Sequence, residues 1–425
     1  MKRLTSCLVG SITLALVLTA CGSSGDPEAD AGPARITFSS HVKGMDLVVK
    51  AFNSVHPDIK VTFEQTPSPN EGGNAKLTNA LKAGNAPDLV TVEYQDLPSF
   101  VSQGGVQPVD TLAGDVLKGV PENITSAVRF AGKTWAIPYD AAPLVFYYRA
   151  DVFQQLGITP PETWDEFRTA AKTIAAKQPG TSIASFFPNE AKLFAALAWQ
   201  NGAHWFRTEG DTWKVSLTDP QTAEVADYWQ GLINDDLVKV EQAFSEEWAN
   251  SLGTGKVVGV IGASWGAGGL VTRTESSAGK WAVAQLPHWG TPASALYGGS
   301  TFAVTKNSKQ AKAAAALATW LVSSPDALKA RGDVGSTYPA ATNLVAIAKQ
   351  NYPTAHFGDQ DIYAEFDTAA GSVVTGWTWG PTLSTLTTLG DGFGSLSSGG
   401  TIDAALEKAE TSTVTEMKGA GLNVG

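Results

Sequence analysis

The chain has 425 residues, 43 of them glycine, with only 17% charged residues and a formal net charge of −11. That length exceeds one ordinary domain and points to two lobes, while the acidic balance argues against nucleic acid or an anionic lipid surface as the main partner. Thirteen tryptophans and nine tyrosines make a heavy aromatic load, most of it expected in the core, although flat amphipathic rings also suit stacking on sugar faces.

Lys2 and Arg3 precede an apolar run over residues 8–20, which ends in Leu18-Thr19-Ala20-Cys21. A basic start, a short apolar stretch and small residues before a cleavage point make a secretory signal, predicted over residues 1–20. The run is too short for a good spanning helix, which needs about 20 apolar residues. Leu-Thr-Ala-Cys also resembles a bacterial lipobox, in which Cys21 carries lipid and becomes the first mature residue. Residues 21–33, rich in Gly, Ser, Asp, Pro and Ala, then read as a flexible tether. Cys7 leaves with the signal, so no thiol pair remains for a disulfide, and the mature charge falls to −13. The expected location is the outer face of the cell membrane, held there by lipid.

Along the chain, residues 35–39 read as a first strand, 44–56 as a helix with Met45, Val48, Val49 and Phe52 on one face, and 59–64 as a second strand. A polar helix over 74–83 closes at Gly84, and a short apolar strand over 88–92 leads to another helix ending at Gln103. Strands alternating with helices indicate an α/β fold with a mainly parallel sheet. Ligands in such sheets sit beyond the carboxyl ends of the strands, which singles out Ser40 and His41, then Glu93 and Tyr94. Strand-like runs at 134–137 and 144–148 flank Pro138-Tyr139-Asp140-Ala141-Ala142-Pro143, whose two prolines make it a stiff crossover rather than a central strand. Thr163-Trp164-Asp165-Glu166 is a capping box, so Trp164 reads as core. Helices follow over 189–199 and after Asp219-Pro220, and strands over 256–261, 281–286 and 301–305. Ser308 is expected to cap an alanine-rich helix ending at Val322, and Ser324-Pro325 to start the next.

Chemistry-bearing patterns are few. Gly262-Ala263-Ser264-Trp265-Gly266 after a strand matches a nucleophile elbow, with Asp333 and His356 downstream in the right order. An exported serine esterase is therefore the alternative from a different class, although short patterns of this kind arise often in a glycine-rich chain. The five histidines fall at no metal-ligand spacing, and no phosphate-loop or dinucleotide fingerprint occurs, so neither metal nor cofactor is expected.

The stretch GKTWAIPYDAAPLVFYYRADVFQQLGITPPETWDEF over residues 132–167 resembles the extracellular sugar-binding proteins of bacterial ABC importers, the group that includes maltose-binding protein. Ala86-Pro87-Asp88-Leu89-Val90, Gly255-Lys256, Ser264-Trp265, the run from Tyr297 to Val304, and Tyr338-Pro339-Ala340 fall in the expected order. The resemblance covers roughly residues 35–420. It implies an α/β, two-lobed periplasmic-binding-protein fold of type II-like topology: lobe one from 34–140 plus 300–335, lobe two from 141–299 plus 336–425. Crossovers fall near 140–144, 296–300 and 335–340, and the ligand is held non-covalently by closure between the lobes. Carried over by position, the site comprises Ser40, His41, Glu93, Tyr94, Asp96, Tyr139, Asp140, Asn189, Glu190, Gly298 and Gly299, with Trp265 as stacking ring and Trp377 or Trp379 as the late aromatic. The implied ligand is an oligosaccharide or related neutral sugar, with a polyol or glycerol-phosphate ester as alternative. The implied partners are a permease pair and its ATPase, and the chain itself is expected to be monomeric.

Overall fold

The structure is a computed structural model that describes residues 33–332, 337–350, 352 and 354–425. The signal, Cys21, most of the tether, Asp333 and Gly335 lie outside the described residues.

β1 (Ala34–Ser40) alternates side chains, burying Ile36 and Phe38, and pairs in parallel with β2 (Ile59–Gln65) and β3 (Leu89–Glu93). The intervening α1 (Met45–Val55) buries Met45, Val48, Val49 and Phe52, the spacing of one helical face. By contrast α2 (Gly73–Ala83) buries no residue fully and rides on the surface beside the strand ends. β4 (Ile137–Pro138) is two residues long, not a strand from 134 to 137: Trp135 breaks the run by donating its backbone N–H to Val128 and its indole N–H to Phe130. β5 (Leu144–Arg149) then opens a second sheet.

α3 (Trp164–Lys177) starts with the reciprocal Thr163–Glu166 capping box and buries Trp164, Phe167, Ala171 and Ile174. A parallel pair, β6 (Ala184–Phe186) and β7 (Val238–Val240), lies alongside β8 (Gly259–Ala263) through a bridge between Ser182 and Val257. Between them α4 (Ala191–Gln200) is buried almost all round. β5 is sandwiched antiparallel between β8 and β9 (Trp281–Gln285), and α5 (Gly266–Arg273) follows β8. β10 (Ser300–Val304) returns to the first sheet and completes its order β2-β1-β3-β10-β4, antiparallel to β3. α6 (Ala311–Ser323) covers that sheet. Its N-cap is Gln310 rather than Ser308, whose hydroxyl donates to the Asp88 carboxylate and accepts the Gln310 N–H just ahead of the helix. Near the end of the chain, α7 (Ser384–Phe393) packs against α4.

Three segments pass between the sheets and hold one another. Asp140 bridges Pro339, and Pro143 bridges Leu296, both antiparallel. Ala141 N–H donates to Tyr338 at 2.9 Å, and Tyr297 N–H to Ala142 at 2.9 Å. Gly299 adopts φ 91°, and a Cβ there would lie 2.9 Å from the Tyr94 ring, so only glycine lets the strand pass this close.

Candidate functional site

A cleft of about 1200 Å³ opens where the carboxyl ends of β1 and β3 face the start of α4 and the turn after β8. His41, Glu93, Gln95 and Asp96 line it from the first sheet, and Asn189, Glu190, Lys192 and Trp265 from the second. Asp140, Gly298 and Gly299 form its back, and Leu386 and Asp391 of α7 close one side. The fold explains this convergence, since strand ends in α/β sheets leave their loops facing one crevice.

The floor is a buried charge network. Glu93 accepts from Gln95 Nε2 and from Lys192 Nζ, the latter at 3.4 Å, while His41 Nε2 stands 3.7 Å from its other oxygen. Burial pushes the Glu93 carboxyl up, but Lys192, His41 and the Gln95 bond outweigh it and hold Glu93 below the usual carboxylate range. Lys192 also lies 3.9 Å from Glu190, whose carboxylate accepts the Tyr297 hydroxyl at 2.8 Å. Burial raises Glu190, and burial lowers His41 despite Glu93, which favours a neutral imidazole. Asp96 is pushed up to about 7 by burial and by Glu93. Asp140, which accepts the Ser300 N–H at 2.6 Å, is pushed up to about 6, chiefly by burial.

Two acceptors on this floor, Asp96 Oδ2 and Gln95 Oε1, are buried without a hydrogen-bond partner among the described residues. Orphaned buried acceptors are costly.

Trp265 forms the aromatic wall. Its indole N–H donates to Tyr297 O at 2.9 Å, which fixes the ring beside the Gly298 turn. Asn189 serves the wall indirectly, since its amide both donates to Ala243 O and accepts from Ala243 N–H.

Five expected site residues do not line the cleft. Ser40 is buried and accepts from Val42 N–H and the Thr91 hydroxyl. Tyr94 lies beneath Gly299 and donates to Asp140 O at 2.9 Å, supporting the back wall from behind. Tyr139 points into the first core, its ring 5.0 Å from Phe302 and its hydroxyl accepting from Arg331. Trp377 and Trp379 are buried around Trp199, the Trp377 ring stacked on it at 5.5 Å. In each case the side chain found apolar or hydrogen-bonding partners inside its own body. Lys192 and Phe244 line the cleft without having been expected there. A lysine inside the apolar run AKLFAALAW was the available signal for the first; Phe244 carried none.

The elbow pattern does not make a catalytic centre. Ser264 is buried and its hydroxyl donates to Ala141 O at 3.1 Å, while His356 pairs with the Thr274 hydroxyl at 2.9 Å. Among the described residues no group of three or more His, Cys, Asp or Glu could hold a metal ion.

The sequence profile of bacterial extracellular solute-binding proteins matches residues 39–327. The chain belongs to that family. This solute-binding protein is a binding protein and not an enzyme. It is similar to the galacto-N-biose/lacto-N-biose I-binding protein of the Bifidobacterium longum ABC transporter, solved with lacto-N-biose. The two are 30% identical with a TM-score of 0.82 over 93% of this chain and 100% of that one. The ABC transporter-associated binding protein of B. animalis subsp. lactis, solved with β-1,6-galactobiose, is 25% identical with a TM-score of 0.78 over 92% and 99%. The diacetylchitobiose-binding protein DasA of Streptomyces coelicolor is 25% identical over 331 residues, 73% of this chain and 76% of that one. The α/β periplasmic-binding-protein fold is shared with the sugar-binding protein MalE of Xanthomonas citri, 16% identical with a TM-score of 0.76 over 91% of this chain and 98% of that one.

Proposed function

We propose that this solute-binding protein captures a neutral oligosaccharide of the disaccharide class and delivers it to an ABC permease pair driven by its ATPase. The observation that carries this reading is the cleft floor, where Glu93, Gln95, Asp96, Asp140 and Glu190 offer acceptors beside the Trp265 ring. Hydroxyl donors satisfy such a floor, and a ring face buries the apolar side of a pyranose. The volume exceeds the roughly 300–1,000 Å³ of ordinary small-molecule pockets, which leaves room for more than one sugar ring. The three similar proteins described with lacto-N-biose, β-1,6-galactobiose and diacetylchitobiose support the same class. A glycerol-phosphate ester fits poorly, because Lys192, the one lysine among the described residues lining the cleft, is already shared by Glu93 and Glu190.

In this reading the lobes divide as 34–140 plus 300–335 and 141–299 plus 336–425, and the crossover at Tyr139, Asp140 and Ala141 bends as the cleft closes. The chain acts as a monomer, tethered by lipid on Cys21 to the outer face of the membrane. A thermal-shift screen of the three disaccharides tests the ligand class, since a ligand that binds only the folded state raises its melting temperature. Mass spectrometry of the membrane-extracted protein tests the lipid.

A further inference from the structure

Phe244 breaks two rules at once. Its φ is 63°, in the left-handed region that a bulky side chain avoids. It is also 49% exposed, one of three large apolar side chains left exposed among the described residues with Leu47 and Val55, and of these only Phe244 lines the cleft. Strain of this kind persists only where the surroundings over-determine it, and it concentrates at ligand clamps.

The surroundings here do so. Asn189 clamps Ala243 on one side through both amide atoms, at 3.2 and 2.8 Å. On the other side the Ser245 hydroxyl donates to Gln242 O at 2.7 Å and accepts from Trp248 N–H at 3.1 Å, capping the helix Glu246–Gly253. The ring itself is braced by two neighbours. Trp248 meets it edge-on at 5.6 Å, and the Arg273 guanidinium, tied to Gly269 O, lies 5.7 Å from its centroid. Trp265 stands next to it, with ring centroids 6.1 Å apart and planes tilted by 37°.

We propose that Phe244 is a second stacking platform beside Trp265, built so that the cleft prefers two linked sugar rings over one. The inference rests on the sugar reading of the cleft and adds to it a specificity-determining residue. Trp265 takes the ring nearer the acidic floor. Phe244, tilted against it, takes the next ring toward the opening, so that a disaccharide gains a contact no monosaccharide reaches. The strained backbone turns the ring outward onto the cleft instead of letting it collapse into the core.

The test compares Phe244→Gly, Phe244→Ala and Phe244→Leu with wild type by calorimetric titration. The probes are lacto-N-biose, β-1,6-galactobiose and diacetylchitobiose, and their constituent monosaccharides galactose and N-acetylglucosamine. In all three variants the ratio of disaccharide to monosaccharide affinity should fall at least about tenfold. Phe244→Gly should also melt about 1 °C above Phe244→Ala, because glycine alone relaxes at this φ. An affinity ratio within twofold of wild type would overturn the platform while leaving the sugar reading intact. Wild type that binds none of these sugars would overturn both.

Discussion

Glu93 and Lys192 form an ion pair at 3.4 Å that spans the cleft, joining the last residue of β3 to the first turn of α4. Each side chain is largely buried, at 13% and 16% exposure, and Lys192 is shared with Glu190. Such a pair resists opening of the cleft, because separation strands the Glu93 carboxylate while its cation stays beside Glu190 at the start of α4.

Lys192→Met should therefore destabilise the fold by about 2–3 kcal/mol, somewhat below the full cost of breaking a wholly buried pair. Urea denaturation measures this. Combining it with Glu93→Gln should recover part of the loss, since the second change removes the stranded charge. Small-angle scattering of the ligand-free Lys192→Met protein should show a larger radius of gyration than wild type.

The scaffold was readable because local signals agreed with the tertiary result. The Thr163–Glu166 box, the stripe of Met45, Val48, Val49 and Phe52, and the prolines around Tyr139 each bias the chain locally toward the conformation it adopts. The site was only half readable. His41, Glu93 and Asp96 follow strands whose ends must converge, so topology alone places them in the cleft. Tyr94, Tyr139, Trp377 and Trp379 are amphipathic rings whose direction depends on side-chain packing, and no periodicity separates a ring facing sugar from one facing core. Phe244 was invisible because its exposure follows from a φ set by Asn189, fifty-five residues earlier in the chain.

Asp96 makes a pH-dependent contribution with a definite sign. Its folded value of about 7 lies above its ordinary 3.8, so the folded state binds the proton more tightly. The stabilisation is full below about pH 4 and is lost as pH rises through 7. Relative to Asp96→Asn, wild type should lose on the order of 2–4 kcal/mol between about pH 4 and pH 8 in urea titrations. Glu93 runs the other way, its depressed value giving stability that is present above the ordinary 4.5 and lost as pH falls through its folded value. Glu93→Gln should remove that acid-side loss.

Gly299 and Gly298 separate close approach from backbone strain. Both have positive φ, but a Cβ on Gly299 would press into Tyr94, whereas one on Gly298 would meet Trp265 Nε1 at an ordinary 3.6 Å. Gly299→Ala should cost about 2–3 kcal/mol and Gly298→Ala about 1 kcal/mol, by thermal or chemical unfolding.

Ser264 acts as a hydrogen-bond donor to the crossover and not as a nucleophile. Ser264→Ala should cost about 1 kcal/mol of stability and leave sugar affinity unchanged. A fluorophosphonate probe should label neither wild type nor the variant.

Calorimetric titration of wild type and Trp265→Ala with lacto-N-biose, β-1,6-galactobiose and diacetylchitobiose tests the central claim most directly. At least one disaccharide should saturate wild type with one molecule per chain, and Trp265→Ala should weaken it by about 2 kcal/mol, or roughly 30-fold. Wild type that binds none of the three, or a Trp265→Ala protein that binds as tightly as wild type, would contradict an oligosaccharide held between an acceptor-lined floor and this aromatic wall.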